Sequence, residues 1–171
     1  VFEFISTNYG ATVPDYYNRI NPKYGAARAD FLVIYKEGGV YLDLKSNINE
    51  PIDEVLITTD RYIFAYWSKA KGEFRENFGH WQELSHMPRG EFQQWHIIAV
   101  EGHPFLKAVI LSIINNIDMY KPWVHGVAHR GVINLTGPVA YSLAILPLLK
   151  KYDHRIVGSD SKIGLCFNAL R

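Results

Sequence analysis

The sequence predicts an α/β layer fold, with a mainly parallel sheet flanked by helices. Stretches of helical apolar periodicity alternate with short apolar strands along the chain. Glycine and proline stand where those stretches should start or stop, at Gly10, Gly38, Gly39, Pro104 and Pro138. The chain of 171 residues, 48% hydrophobic, is long enough to bury one core, so a single domain over 1–171 is expected.

The elements follow in order. "VFEFISTNYG" reads as the end of a helix closed by Gly10, and "PDYYNRINPKYG" as a turn-rich aromatic connection. "NPKYGAARADFLVIYKEGG" reads as a helix with Asn21 as cap, Pro22 in its first turn and Gly38 or Gly39 as its stop. "VYLDL" is then a short buried strand. "EPIDEVLITTDRYIFAYW" holds a short helix and a second strand, and residues 68–90 turn polar and irregular. Beyond them, Phe105, Leu106, Val109, Ile110, Ile113, Ile114 and Ile117 fall on one stripe of a helix opened by Pro104. "TGPVAYSLAILPLL" is a further apolar helix, opened by Thr136 and Pro138.

Composition excludes several classes. Eighteen basic against seventeen acidic residues leave no overall field for nucleic acid. Lys69, Lys71 and Arg75 interleave with Glu73 and Glu76, as in a solvated loop. Cys166 is the only cysteine, so no intrachain disulfide forms. No uninterrupted apolar run reaches the ~20 residues of a membrane span; Asn115 and Asn116 break the nearest. His125 and His129 have the i, i+4 spacing of helix-borne metal ligands, but Gly126 lies between them and no glutamate accompanies them. Nucleophile-elbow, phosphate-loop and cysteine-rich metal patterns are absent. Trp67, Trp81, Trp95 and Trp123 offer rings for packing or for stacking on sugars.

Open α/β sheets bind ligands beyond the carboxyl ends of their strands, and Asp43 stands at such an end. Around it, "AARADFLVIYKEGGVYLDLKS" resembles the small-small-x-x-Asp, helix, Gly-Gly-aliphatic-Tyr-Leu-Asp-x-Asp segment of glycosyltransferases of the sugar-binding-region, DXD-motif family. That family includes the yeast initiating α-1,6-mannosyltransferase and bacterial capsular polysaccharide enzymes. "GEFQQWHIIAVEGHPFLKAVI" is similar to its Gly-His-Pro block, and "GVINLTGPVAYSLAI" to its Thr-Gly-Pro block.

The resemblance implies a GT-A-like (Rossmann-like) fold. It also implies transfer of a sugar, with retention, from a nucleotide-diphosphate-sugar to a glycan or other hydroxyl acceptor. The family's first strand, which carries much of the nucleotide pocket, is expected upstream of Val1. The location implied is the cytoplasm, with membrane association through regions beyond this chain, or the Golgi lumen in a eukaryote. No nucleic-acid partner and no transmembrane segment within this chain are expected.

Residue by residue, the resemblance makes Asp43 a catalytic residue and a ligand of a divalent cation (Mn or Mg). Asp30, Arg28, Gly39, Tyr41 and Gln94 fall on the donor side, and Trp95, His103 and Thr136 on the acceptor side. Two positions depart from the family pattern: Lys45 replaces the second aspartate, and Val33 stands where an arginine is usual. Lys45 is either a solvated turn lysine or a catalytic cation aimed at the leaving diphosphate, partly replacing the metal. The alternative to an enzyme is a catalytically impaired, transferase-like module that binds carbohydrate or protein.

Overall fold

The computed structural model describes residues 1–19, 29–68, 71 and 78–167. It opens with α1 (Phe2–Tyr9), closed at Gly10 as expected. The segment expected to be a turn-rich connection instead contains a helix, α2 (Thr12–Arg19). Pro14 lies within its first turn, where a missing N–H costs nothing. The Tyr16 hydroxyl and the Arg19 guanidinium both donate to the Asp118 carboxylate, at 2.6 and 2.9 Å, and so tie α2 to a distant part of the chain. Tertiary contacts decide that segment.

In α3 (Ala29–Glu37), Phe31, Leu32 and Ile34 are buried. The cap expected at Asn21 and Pro22 lies outside the described residues. The helix stops at Gly38, whose N–H donates to the Ile34 carbonyl at 2.9 Å. Gly38 has φ +68°, and a β-carbon there would sit 2.7 Å from the Glu101 backbone nitrogen. No other residue combines that conformation with that approach.

Next come β1 (Gly39–Leu42), β2 (Asn47–Ile48), α4 (Ile52–Val55), β3 (Tyr62–Ala65) and β4 (His96–Ala99). The long α5 (Pro104–Asp118) is followed by α6 (Pro122–His125), α7 (Ala128–Leu135), α8 (Pro138–Ile145), β5 (Arg155–Val157) and β6 (Leu165–Cys166). The main sheet has the order β1-β4-β3-β5, and β2 pairs with β6 in a small ladder.

The mixed α/β class stands, but the strand directions need correction. Strands β1, β3 and β5 run one way; β4 lies between β1 and β3 and runs against both. Only the β3–β5 ladder is therefore parallel among the described strands of the main sheet. Alternating helices and strands suggested crossover units throughout. A parallel neighbour for β3 at β4 would require such a crossover. The described part of the β3–β4 connection instead carries turns and a 3₁₀ turn at Gln82–Leu84.

Strand alternation sorts the core. Tyr62 and Phe64 point to one side, Ile63 to the other. On the first side they join Phe31, Ile97, Phe105, Leu106, Val109 and Tyr141 beneath α3, α5 and α8. On the second, Ile63 and Ile98 meet Trp67, Trp95, Ile163 and Leu165. The α5 stripe is core as expected, with Phe105, Leu106, Val109 and Ile113 buried.

Thr136 does not cap α8. Its neighbour Gly137 takes that position, and no side-chain capping bond forms. Ala128–Leu148 is a helical stretch long and apolar enough in composition to cross a bilayer. Its window is 56% buried inside the fold, however, and the chain breaks at Thr136–Gly137 between two separate helices.

Phe105 ties these layers together, since its ring meets Tyr62, Phe64, Tyr152 and His154. Phe105→Ala should cost about 3–5 kcal/mol, read as a lowered urea midpoint at unchanged slope.

Candidate active site

The carboxyl ends of β1 and β3 open on one cleft, and two backbone bonds fix its floor. The Asp43 N–H donates to the Trp95 carbonyl at 2.8 Å, and the Gln93 N–H donates to the Ala65 carbonyl at 2.9 Å. The segment entering β4 is thereby stitched to the exits of both its neighbours. The cleft, about 470 Å³, is walled by Trp67, Phe78, Trp81, Trp95 and Phe167, with Asp43, Glu91, Gln94, His80 and His129 as its polar groups. Its size and its apolar lining with few polar groups suit a small-molecule ligand.

Asp43 lies two residues beyond Tyr41 and so on the same side of the strand. The Tyr41 hydroxyl donates to Asp43 Oδ1 at 2.7 Å. This bond orients the carboxylate from within the protein. The following turn closes when the Ser46 N–H donates to the Asp43 carbonyl at 2.9 Å. Leu44 and Lys45 form the tip of that turn, both exposed. Lys45 is thus on the rim, outside the cleft wall.

The remaining sequence candidates divide. Gln94 and Trp95 line the cleft with Asp43. The indole N–H of Trp95 is buried and has no acceptor among the described residues. Asp30 occupies the first turn of α3, half-buried and outside the cleft lining. Burial, then Tyr141, then the charge of Asp30 hold the Tyr62 phenol well above its ordinary pKa. Gly39 starts β1, separated from Asp43 by ~13 Å of strand, and lines a different surface beside Asp60 and Arg61.

His103 follows the far end of β4. Its Nδ1 accepts from the Phe105 N–H at 3.2 Å, while Nε2 lies 3.3 Å from the Asp153 carbonyl. That histidine is a helix cap. The Thr136 hydroxyl is buried without a partner and not in the cleft wall, although Pro138, two residues on, is. Arg28 lies outside the described residues. Three of the four tryptophans line the cleft; Trp123 is 82% exposed on α6. His125 and His129 fall on different helices, α6 and α7, and only His129 reaches the cleft.

Sequence reasoning missed Glu91. This residue is 6% exposed, yet both carboxylate oxygens are engaged in the cleft wall. Trp67 Nε1 donates to Oε1 at 2.7 Å, and Trp81 Nε1 donates to Oε2. Burial raises the Glu91 carboxyl above its ordinary range, and the two indole donors pull it back. Gly79 permits the packing. Its φ is +77°, and a β-carbon would fall 2.7 Å from Trp67 and 2.8 Å from Glu91. The only local signal was a Gly-Glu pair at the head of a block already singled out.

Beneath the floor lies a second polar group. Gln93 Oε1 is 3.2 Å from His96 Nε2, and Gln93 Nε2 reaches Asp160 at 3.5 Å. Burial lowers the His96 pKa to about 3.

The donor set bears on the implied divalent ion. Among the described residues, no three His, Cys, Asp or Glu side chains converge on a common point. Magnesium sites commonly use one or two carboxylates with substrate phosphates and water. Asp43 fits that pattern as a single protein ligand, and the described residues do not build a closed cage.

No family model matches the chain, and no curated protein matches it. Among solved structures, the PaToxG glycosyltransferase matches with a TM-score of 0.54 at 16% identity, over 88% of this chain and 45% of that one. The fold is glycosyltransferase-like, of the GT-A type. The chain spans less than half the length of that structure.

The buried imidazole gives a pH prediction. His96 is neutral in the fold and takes up a proton on unfolding near its ordinary pKa of 6.5, so acid favours the unfolded chain. Stability should fall as pH drops from about 6.5 towards 3, by up to about 1.4 kcal/mol per pH unit from this group. His96→Gln should flatten that slope in denaturant titrations.

Proposed function

We propose that this domain transfers a sugar from a nucleotide-diphosphate-sugar donor to a hydroxyl acceptor on a glycan or other molecule, with retention. The observation that carries the proposal is Asp43, braced by Tyr41 at a strand end in an aromatic-walled cleft, on a glycosyltransferase-like fold. The resemblance to the DXD-motif family adds the donor class and the stereochemistry.

Breaking the bond to a diphosphate places negative charge on the leaving group, so stabilising that charge is the main catalytic need. A divalent cation (Mg or Mn), when bound, would supply much of that stabilisation. In this reading Asp43 is its protein ligand. Lys45, on the turn tip two residues away, extends its flexible stem over the same phosphates. Gln94, in the cleft wall, bonds sugar or ribose hydroxyls.

A second reading has one specific observation in its favour. Lys45 is exposed on the rim, in the place of the family's second metal-binding aspartate. The domain would then be a carbohydrate-binding relative of transferases, without turnover.

The experiment is donor hydrolysis and transfer by the full-length protein across a panel of uridine and guanosine diphosphate sugars, with and without chelator. Asp43→Asn should lower turnover by on the order of 10²-fold or more. Lys45→Ala should remove most of the activity that survives chelation. Binding without turnover across the panel would select the second reading. Complete loss on chelation with an unaffected Lys45→Ala would reduce Lys45 to a solvated turn residue.

A further inference from the structure

We infer that the aromatic end of the cleft is a pyranose subsite whose two tryptophan walls, Trp67 and Trp81, are held in place by the single carboxylate of Glu91. The inference rests on the saccharide reading of the cleft proposed above and deepens it.

Glu91 uses one oxygen for each indole, and the two tryptophans come from different parts of the chain. Holding them by their N–H edges restricts how either ring can turn. Trp67 is further wedged by Phe78 and Phe167, with ring centroids at 5.5 and 5.7 Å. Over Trp81 lies the Arg130 guanidinium, 5.8 Å from the ring centroid, itself paired with Glu83 at 2.6 Å. Each wall is thus fixed at its polar edge and supported at its side.

A buried carboxylate is an expensive way to hold a ring. Among the described residues, no cation pairs with Glu91, and the two indole N–H groups are its hydrogen-bond donors. Interiors generally accept apolar or neutral residues at lower cost. Only an ionised carboxylate, however, accepts from two N–H donors without presenting a donor of its own. The charge is explained by the need to hold both rings at once.

The ligand class follows from what surrounds the rings. A pyranose has an apolar C–H face and a rim of hydroxyls. Beside the aromatic walls, the cleft sets Asp43, Gln94, His80 and His129 as hydroxyl partners. A few polar groups beside aromatic faces match a sugar ring, whose apolar face can stack while its hydroxyls meet those groups.

The test titrates the full-length protein with methyl glycosides of glucose, mannose and N-acetylglucosamine, and separately with uridine and guanosine. Tryptophan emission and calorimetry are the readouts. The expected result is an emission change with at least one glycoside and none with either nucleoside. Glu91→Gln, which presents an amide N–H₂ to one indole, should keep the melting temperature within a few degrees and weaken glycoside binding at least about tenfold. Trp81→Phe retains a ring but removes the bond to Glu91, and should weaken binding in the same direction; it decides the matter should Glu91→Gln fail to fold.

Folded variants that bind glycosides as the wild type does would overturn the positioning role of Glu91. An emission change with nucleosides alone would overturn the pyranose assignment and make the cleft a base site. Glycoside binding that depends on Glu91, without turnover on any nucleotide-sugar, would sustain this inference and refute transfer. Turnover indifferent to Glu91→Gln would do the reverse.

Discussion

The reversed strand β4 is the constraint on which the rest depends. It lies between β1 and β3 and runs against both, so its entry point meets both their exits. The Asp43 to Trp95 and Gln93 to Ala65 backbone bonds are the consequence. Residues 91–96 thereby reach the edge of the sheet at which β1 and β3 deliver Asp43 and Trp67. Were β4 parallel to its neighbours, its exit rather than its entry would adjoin Asp43. Glu91, Gln94 and Trp95 would then be carried to the opposite end of the sheet. The cleft is a product of strand direction as much as of residue type.

This explains what the sequence could disclose. Asp43 was legible because its place at a strand end is set locally, by the stop at Gly38, a four-residue strand and a turn, although the Trp95 carbonyl that also holds it is distant in sequence. The α5 stripe was legible because helical periodicity over fifteen residues is a strong signal. The direction of β4 was not, since it depends on a long connection whose described residues hold little regular structure. Glu91 was invisible for a related reason: its partners stand 24 and 10 positions away, and no spacing rule joins them. β5 has three residues, too few for any period to show.

Other candidates show how one residue type can serve two purposes. His103 sits in a family-like Gly-His-Pro block, but its ring caps α5 and faces the Asp153 carbonyl. A histidine preceding a helix proline satisfies an orphan N–H at low cost, and that use competes with ligand binding. Thr136 shows the converse. It occupies a cap-like position in sequence, yet its buried hydroxyl makes no capping bond. Here the backbone at Gly137 opens the helix without help.

Polar burial is dense around residues 91–96. Glu91, Gln93 and His96 are nearly inaccessible, fall within six residues of one another, and lie in or under the cleft. Such groups lower stability relative to an apolar core unless each finds partners. Glu91 is satisfied by two indoles and Gln93 by His96 and Asp160, whereas one ring nitrogen of His96 and the Trp95 N–H have no partner among the described residues. On the opposite side of the sheet, around Phe64 and Phe105, the interior is mainly an aromatic stack, whose buried polar groups include the Tyr62 and Tyr141 hydroxyls, paired at 2.7 Å, and His103. The fold therefore draws its stability from one face and spends part of it on the other. A rigid aromatic layer beneath α5 can hold the sheet while the cleft retains charged and unpaired groups. That division makes a ligand-binding cleft at the strand exits physically sustainable in a domain of this size.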